Sequence, residues 1–440
     1  VHFENKDSAE IDAIIKSAPN VAKVDLINNR LIAAPMEPRV AIGDYDDNTG
    51  TMILYAPSQG ANRMHSNIIK VFPLEPEKIR IISKDTGGGF GVRSKAYAEL
   101  LVLMWTAKQL KQPVKWQGDR FESMVSDNHS RDNVTHAELP MDADGRALGL
   151  KIETIASVGA YLLENGPAIP THNGRRITGT VYKLPEVYQS VRVAFSNTTP
   201  TDSYRGAGRP EAAFIMESLM EEAAKVMDMT PIEMRNLNFI QEEDFPYTNS
   251  QNLAIDSGKF TETMNMAMEK ADWDGVESRR AESKRNGKLR GIGLGYFMES
   301  SGGKPEEFGR IRMEADGSAT ILVGTFSHGQ GHGTAFRQIA HDALGLPFEK
   351  MNFIDGSDTA IIPRGHGTGG SRSSQMGGVS ILRAAKKVIV KGKVIAAHLL
   401  QTGENKVEFA SGVYTATDSG ASISLSEVAM AAHDSDKLPD

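Results

Sequence analysis

Three glycine-rich segments and one arginine-bearing turn hold the residues of this chain best suited to chemistry. Asp85-Thr86-Gly87-Gly88-Gly89-Phe90-Gly91 lies between the strand-like Ile79-Arg80-Ile81-Ile82 and an amphipathic run over 96–110. Ser327-His328-Gly329-Gln330-Gly331-His332-Gly333-Thr334 follows a strand-like run over 319–323 and leads into a helical pattern over 335–344. Gly365-His366-Gly367-Thr368-Gly369-Gly370-Ser371-Arg372-Ser373-Ser374 again precedes a long helical pattern. Missing side chains let backbone N–H groups at a helix N-terminus approach an anion or the edge of a cofactor. Three such loops that each open a helix suggest one large, phosphate-bearing ligand. The competing reading of any glycine cluster is a helix C-cap or a tight turn.

His328 and His332 stand four apart, a spacing that holds a metal when both lie on one face of a helix. Gly329, Gln330 and Gly331 separate them, which supplies no general-base glutamate and little helix propensity, so loop histidines are the alternative. His341 extends that metal reading to three histidines. Arg205, in Asp202-Ser203-Tyr204-Arg205-Gly206-Ala207-Gly208-Arg209-Pro210-Glu211, precedes a helix expected over 211–227 with Pro210 in its first turn. An arginine beside glycines there can clamp an anionic group; a solvated surface arginine is the alternative. The chain contains neither Gly-x-x-x-x-Gly-Lys-Ser/Thr nor Gly-x-Ser-x-Gly, which disfavours a P-loop nucleotide hydrolase and an esterase-type serine nucleophile.

The elements that must position these residues belong to 440 residues, 40% hydrophobic and 24% charged, enough for two or three domains. A formal charge of −7 argues against nucleic-acid binding. No apolar run reaches the roughly 18 residues of a membrane helix, since 388–400 is broken by Lys391, Lys393 and His398. The expected location is the cytoplasm, with the periplasm as the alternative. Cysteine is absent, which excludes disulfides, zinc thiolates and iron–sulfur ligation within this chain. Any redox relay then sits on another subunit. The first residues lack a Met and a signal-peptide layout, and the last stop in polar sequence, so both ends are expected to be cuts through something longer. Strand-like segments (21–26, 52–55, 79–83, 147–155, 191–195) alternate with helical ones (96–110, 210–226, 231–236). An α+β (mixed α/β) architecture follows, with a remnant over 1–20, a first domain over 21–252, a charged connection over 253–288 and a second domain over 289–440, incomplete at its end.

In order, Pro35-Met36-Glu37-Pro38-Arg39, Ser58-Gln59, Gly87 to Gly91, Tyr204 to Glu211, Gly329-Gln330-Gly331-His332 and Gly370-Ser371-Arg372-Ser373 resemble the molybdenum-binding large subunit of the xanthine dehydrogenase, aldehyde oxidase and carbon monoxide dehydrogenase family. The resemblance spans nearly the whole chain and is nearest to the aerobic carbon-monoxide-dehydrogenase type. It implies a molybdopterin dinucleotide, in bacterial members the cytosine form, held between two molybdopterin-binding domains, with no protein ligand on the metal itself. Gln59 matches the glutamine that hydrogen-bonds an oxygen ligand of molybdenum and lies 31 residues before Phe90; Arg205 matches the arginine of the substrate cavity. Gly88, Gly89, Phe90 and Gly91 would approach the metal's surroundings. Gly329, Gln330, Gly331, His332, Thr368, Gly369, Gly370, Ser371, Arg372 and Ser373 match loops that bind the pterin and its nucleotide tail. Ser94, Ala207 and Glu299, the last in the variable loop over 295–301, would line the substrate pocket.

The implied activity is oxidative hydroxylation of an aldehyde or N-heteroaromatic substrate with water as oxygen source. Electrons would leave through a [2Fe-2S] small subunit and an FAD medium subunit in a dimer of heterotrimers. Three departures qualify this. The family's proton-abstracting glutamate, in a Gly-Glu segment near the C-terminus, has no counterpart here, which leaves a non-catalytic cofactor-holding fragment or subunit as the alternative. Carbon monoxide enzymes carry a cysteine where Gly206 stands, and purine hydroxylases carry a glutamate at Ser94 and an arginine near Asn173. The expected substrate is therefore neither carbon monoxide nor xanthine.

Overall fold

The computed structural model describes residues 2–179, 181–249, 251–302 and 305–438, so Ser250 of the polar stretch 249–252 lies outside the described residues. By contact the chain groups into two compact units, 1–33 with 126–300 and 34–125 with 301–440. That grouping is interleaved along the sequence, unlike the consecutive division at 252 and 289 read from composition.

The first unit is built on a five-stranded sheet in the order His2–Glu4, Val187–Ala194, Leu150–Ser157, Asn133–Met141, Asn20–Asn28. Only the pair Leu150–Ser157 and Val187–Ala194 is parallel. Along Leu150–Ser157 the side chains alternate, with Leu150, Ile152, Thr154 and Ala156 buried and Glu153 and Ile155 exposed, as the two-residue period of a pleated strand requires. The helix Arg209–Val226 buries Ala212, Ile215, Met216, Leu219, Met220, Ala223 and Ala224, a 3, 4, 7, 8 spacing that forms one apolar stripe. That stripe joins Ala22, Ala137, Leu139, Leu150 and Ile152 in the unit's main core. Each large aliphatic side chain so buried contributes about 1.5–3 kcal/mol.

One polar network is sunk into this core. Tyr182 Oη donates to Glu217 Oε1 at 2.6 Å, and Arg235 Nε and the Tyr296 N–H donate to Glu217 Oε2 at 3.1 and 2.8 Å. Arg235 is fully buried, and its remaining nitrogens donate to the carbonyls of Pro231 and Leu294. Burial pushes the Glu217 carboxyl up and the Arg235 charge pulls it back.

The second unit holds a four-stranded sheet in the order Ile79–Ile82, Thr51–Tyr55, Val40–Asp46, Val114–Gln117, with the helices Ala61–Ile68 and Ala98–Leu110 sharing its core. A second core joins the three-stranded sheet Gly309–Met313, Ala319–Val323, Met351–Ile354 to the helices His332–Leu344 and Gly378–Leu399. The two parts are stitched at Ile79–Ile82. Ser83 N–H donates to Ser357 O at 2.7 Å, Thr359 N–H to Ile81 O at 3.1 Å, and Ala61 N–H to Gly356 O at 3.0 Å. Arg80 forks onto Asp358 at 3.0 and 2.6 Å.

Two sequence expectations are corrected. The loop Gly87 to Gly91 does not open a helix: residues 92–97 intervene before Ala98, and the Arg93 carbonyl among them accepts from the Gln59 N–H. The charged run over 259–286 is two helices, Phe260–Lys270 and Val276–Arg285, broken at the turn over 271–275. Among the described residues no helix is long and apolar enough to cross a membrane.

Replacing Arg235 by Ala would leave Glu217 buried without its counter-charge. Urea unfolding of Arg235→Ala is expected to show a loss of about 3–5 kcal/mol; a loss below about 1 kcal/mol would mean the guanidinium does not hold this core together.

Candidate functional site

Gln59 is 5% exposed and sits at the end of the chain segment that leaves the strand Thr51–Tyr55. Its backbone N–H donates to Arg93 O at 3.0 Å and its carbonyl accepts from Thr368 N–H at 2.7 Å. Its side-chain Oε1 accepts from Gly91 N–H at 2.8 Å and its Nε2 donates to Thr368 O at 3.1 Å. An N–H on one side and a carbonyl on the other fix which end of the amide is oxygen. One Nε2 proton is left over.

The glycine loop packs against this amide. A Cβ on Gly89 would lie 2.7 Å from both the Gln59 side chain and the His328 ring, so only glycine permits the approach. Phe90, 42% exposed, follows with φ +52°, a left-handed backbone that a non-glycine residue adopts only when its surroundings enforce it. Ser94 is buried and its hydroxyl donates to Gly91 O at 2.7 Å. Gly87 N–H donates to the Glu37 carboxylate at 2.9 Å, and Arg93 donates to Glu37 O at 2.6 Å. On the other side, Thr368 Oγ1 donates to Phe326 O at 2.6 Å and lies 2.9 Å from Ser373 Oγ. The structure thus brings Gln59, Gly88, Gly89, Phe90, Gly91, His328, Thr368 and Ser373 into one cluster inside the second unit.

The loop around Gln330 opens the helix His332–Leu344 directly, with Gly331 at the N-cap and φ +74°. Gln330 is exposed and folds back, accepting from His328 N–H at 2.6 Å with its Nε2 3.1 Å from the ring. His332 is buried, and among the described residues its Nδ1 has no partner. Among the described residues, no atom beyond the adjoining chain lies within 4 Å of where a side chain at Gly329 or Gly331 would begin. Burial and the neighbouring His332 lower the His328 pKa to about 4, and burial lowers that of His332. Asp355, which accepts from Ser327 N–H at 2.9 Å, is shifted upward by burial. His328 precedes the helix that carries His332, and His341 Nδ1 lies 2.6 Å from Leu346 O. Among the described residues no set of three acidic or imidazole groups is placed to hold a metal ion.

The third loop is anchored by Arg372. Gly369, Gly370 and Ser371 lead into a wide helical turn Ser373–Gly377 that continues as Gly378–Leu399. Arg372 is buried against the equally buried Glu307 and donates to Gly367 O and Glu306 O. Its guanidinium fixes the loop.

In the first unit, Arg205 lies in a turn whose next three residues all have positive φ: Gly206 +92°, Ala207 +43° and Gly208 +97°. The Glu211 carboxylate accepts from Gly208 N–H at 3.0 Å and closes the turn onto the helix Arg209–Val226. Beneath it Arg131, buried, donates to Tyr204 O at 3.1 Å and Arg205 O at 2.8 Å, and it stacks over the Tyr204 ring. The Arg205 side chain is exposed. Arg209 donates to Ser300 O at 3.0 Å and lies 3.4 Å from Glu299. Asn173 packs where a side chain at Gly208 would reach it at 3.3 Å. Sequence reasoning passed over Arg131, Glu307 and Asp355, and the partners named for the first two are 50 or more residues distant, so no local pattern marks them.

The chain as a whole has counterparts among known proteins. Residues 2–239 match one molybdopterin cofactor-binding domain and residues 266–439 match a second. The chain belongs to the molybdopterin-binding large subunits of the xanthine dehydrogenase family. It is 30% identical over 446 residues to the nicotine 6-hydroxylase large subunit of Paenarthrobacter nicotinovorans, covering 98% of this chain and 54% of that one. It is also 30% identical over 419 residues to the carbon monoxide dehydrogenase large chain of Hydrogenophaga pseudoflava, covering 92% and 52%. The solved structure of quinoline 2-oxidoreductase from Pseudomonas putida 86 superposes with a TM-score of 0.92 at 28% identity, covering all of this chain and 57% of that one. The chain spans about half the length of the curated relatives it matches.

The chain binds a molybdopterin cofactor, and the donors left unused fit such a group. Gln59 keeps one amide N–H, His332 Nδ1 is unsatisfied, and the first N–H groups of the helix His332–Leu344 have no intrahelical acceptor.

A histidine whose folded-state pKa is depressed stabilises the fold fully above its unfolded pKa, about 6.5, and loses that contribution as the pH falls toward its folded value. For His328, with a folded value of about 4, the window runs from about pH 6.5 down to 4. Between about pH 7.5 and 4.5 the parent protein is expected to lose roughly 2–3 kcal/mol more unfolding free energy than His328→Gln. The raised carboxyl of Asp355 works in the opposite sense in both proteins and cancels in the difference; superimposable pH profiles would refute the burial of His328.

Proposed function

We propose that this protein is the molybdopterin-bearing part of an enzyme that hydroxylates an electron-poor carbon of an N-heteroaromatic or aldehyde substrate. Substrate C–H and water become C–OH, two protons and two electrons. A cytosine dinucleotide form of the cofactor, a [2Fe-2S] subunit and an FAD subunit belong to the same reading, since a chain without cysteine ligates no cluster itself. The observation that carries it is the Gln59 amide, pinned at both ends yet retaining one N–H, in a loop cluster where glycine replaces every side chain that would intrude.

The bound molybdenum centre supplies the two-electron oxidation. The protein's own residues orient and exclude. Gln59 offers a preorganised donor that needs no reorganisation. Phe90 presents a partly exposed aromatic ring over Gly88. Arg205, its backbone carbonyl held by Arg131, projects an exposed guanidinium able to fork onto a carbonyl or anionic group of the substrate. Ser94, Ala207 and Glu299 are assigned to the substrate's surroundings. N-heteroaromatics are favoured among substrates. Two relatives are named for nicotine and quinoline, and Gly206, Ser94 and Asn173 stand where carbon monoxide and purine enzymes would carry other groups.

The test is the complex purified with its native partners. It is expected to contain about one molybdenum per copy, to release a cytidine nucleotide on acid treatment and to incorporate water oxygen into a hydroxylated N-heteroaromatic; stoichiometric zinc without molybdenum would refute the assignment. Gln59→Ala is expected to lower kcat per bound molybdenum by roughly 10²- to 10³-fold. Arg205→Lys is expected to raise KM and lower kcat with unfolding unchanged, because lysine cannot reproduce a forked contact.

A further inference from the structure

A groove of about 900 Å³ runs along the second unit between the strand Gly309–Met313 and the helix Gly378–Leu399. It lies apart from the Gln59 cluster in its lining and in its charge. Six cations border it: Arg310, Arg312, Arg364, Arg383, Lys387 and Lys391. Arg312 is paired with Glu314; the other five, all exposed, have no acidic partner among the described residues. The single carboxylate of the lining, Glu307, is buried against Arg372 and neutralises none of them. This is an unusual concentration in a chain of net charge −7.

Three of the cations, Arg383, Lys387 and Lys391, repeat every four residues and therefore share one helix face. Ile311, Val379, Ala384 and Val388 supply an apolar floor beside them. Among the described residues the strand Gly309–Met313 ends its sheet, with Ala319–Val323 as its one neighbour. An edge strand presents alternate backbone N–H and C=O groups to whatever lies alongside. Nature usually guards such an edge with charge, and here Arg310 and Arg312 point outward along it. Uncompensated like charges along one groove repel one another until a counter-charge arrives.

We infer that this groove receives an extended, carboxylate-rich segment of another polypeptide, which adds a fourth strand beside Gly309–Met313 and sets its acidic side chains against Arg383, Lys387 and Lys391. Backbone hydrogen bonds supply register and the helix cations supply selectivity for acidic over basic sequences. The occupant is an extended strand because the open groups of the groove are a strand edge, and acidic because every unpaired charge facing it is positive.

The experiment uses the 440-residue protein and a fluorescent peptide of roughly eight alternating glutamate and valine residues, an ordinary strand length. Binding is expected by anisotropy, weakening as salt approaches about 1 M, where the Debye length is roughly 3 Å. The Arg383→Glu, Lys387→Glu, Lys391→Glu triple variant, altered only at exposed positions, is expected to melt like the parent and to bind about tenfold or more weakly. A peptide with alternate backbone nitrogens methylated on its pairing edge is expected not to bind, because it cannot complete a ladder. Three results would each overturn the inference: no binding at millimolar peptide, equal binding by the triple variant, or full binding of the methylated peptide with displacement by inorganic pyrophosphate, which would make the groove an anion site.

Discussion

A glutamine buried between two loops must satisfy both a side-chain amide and a backbone peptide group, and at Gln59 the second unit supplies four hydrogen bonds to them from parts of the chain that share no regular element. Gly91 N–H and Thr368 C=O take the two ends of the side chain, while Arg93 C=O and Thr368 N–H take the backbone. Leaving a buried polar group without its partner costs roughly 1–3 kcal/mol, so every loop arrangement that breaks one of these contacts is penalised at once. The loops around 87–94 and 366–373 are held less by their own propensities than by this shared residue.

The same constraint explains where side chains are forbidden. Gly60 and Gly367 meet back to back: a Cβ on Gly60 would lie 2.5 Å from Gly367 Cα, and one on Gly367 would lie 2.2 Å from Gln59 O. Such an approach needs a rigid frame, which the stitch between Ile79–Ile82 and residues 356–359 provides. Arg80 and Asp358 fork together across that seam, and Arg80 holds the Asp358 carboxyl below its usual range despite the opposing effect of burial. A slip of one residue at the seam would carry Thr368 away from Gln59 and turn the core face of Ile79 and Ile81 outward.

Much of the architecture was legible because it rests on local periodicity. The strand Ala319–Val323 and the stripe on Arg209–Val226 follow from apolar spacing alone. Val40–Asp46 and Asn133–Met141 escaped notice because Gly43, Asp44 and Pro140 dilute their alternation. The glycine loops announced themselves, but what each does locally was legible only in part. Gly331 opens a helix, whereas Gly89 makes room for an amide and an imidazole contributed from 30 and 239 positions away. No window of sequence contains that fact. The interleaving of the two units is invisible for the same reason, since composition runs along the chain and packing does not.

Most polar side chains in these loops are already spent on the protein itself. Ser94 serves Gly91, Thr368 serves Phe326, and Arg372 serves Glu307. Side chains consumed in this way cannot also grip a ligand, so recognition falls to what remains: backbone N–H groups freed by glycine, the second N–H of Gln59, and the unpartnered Nδ1 of His332. The remaining groups are neutral at physiological pH. Burial lowers the pKa of both His328 and His332, so neither imidazole adds a positive charge there at physiological pH. Fixed dipoles respond to either sign of charge by orientation already built in, which suits a polar group whatever its charge.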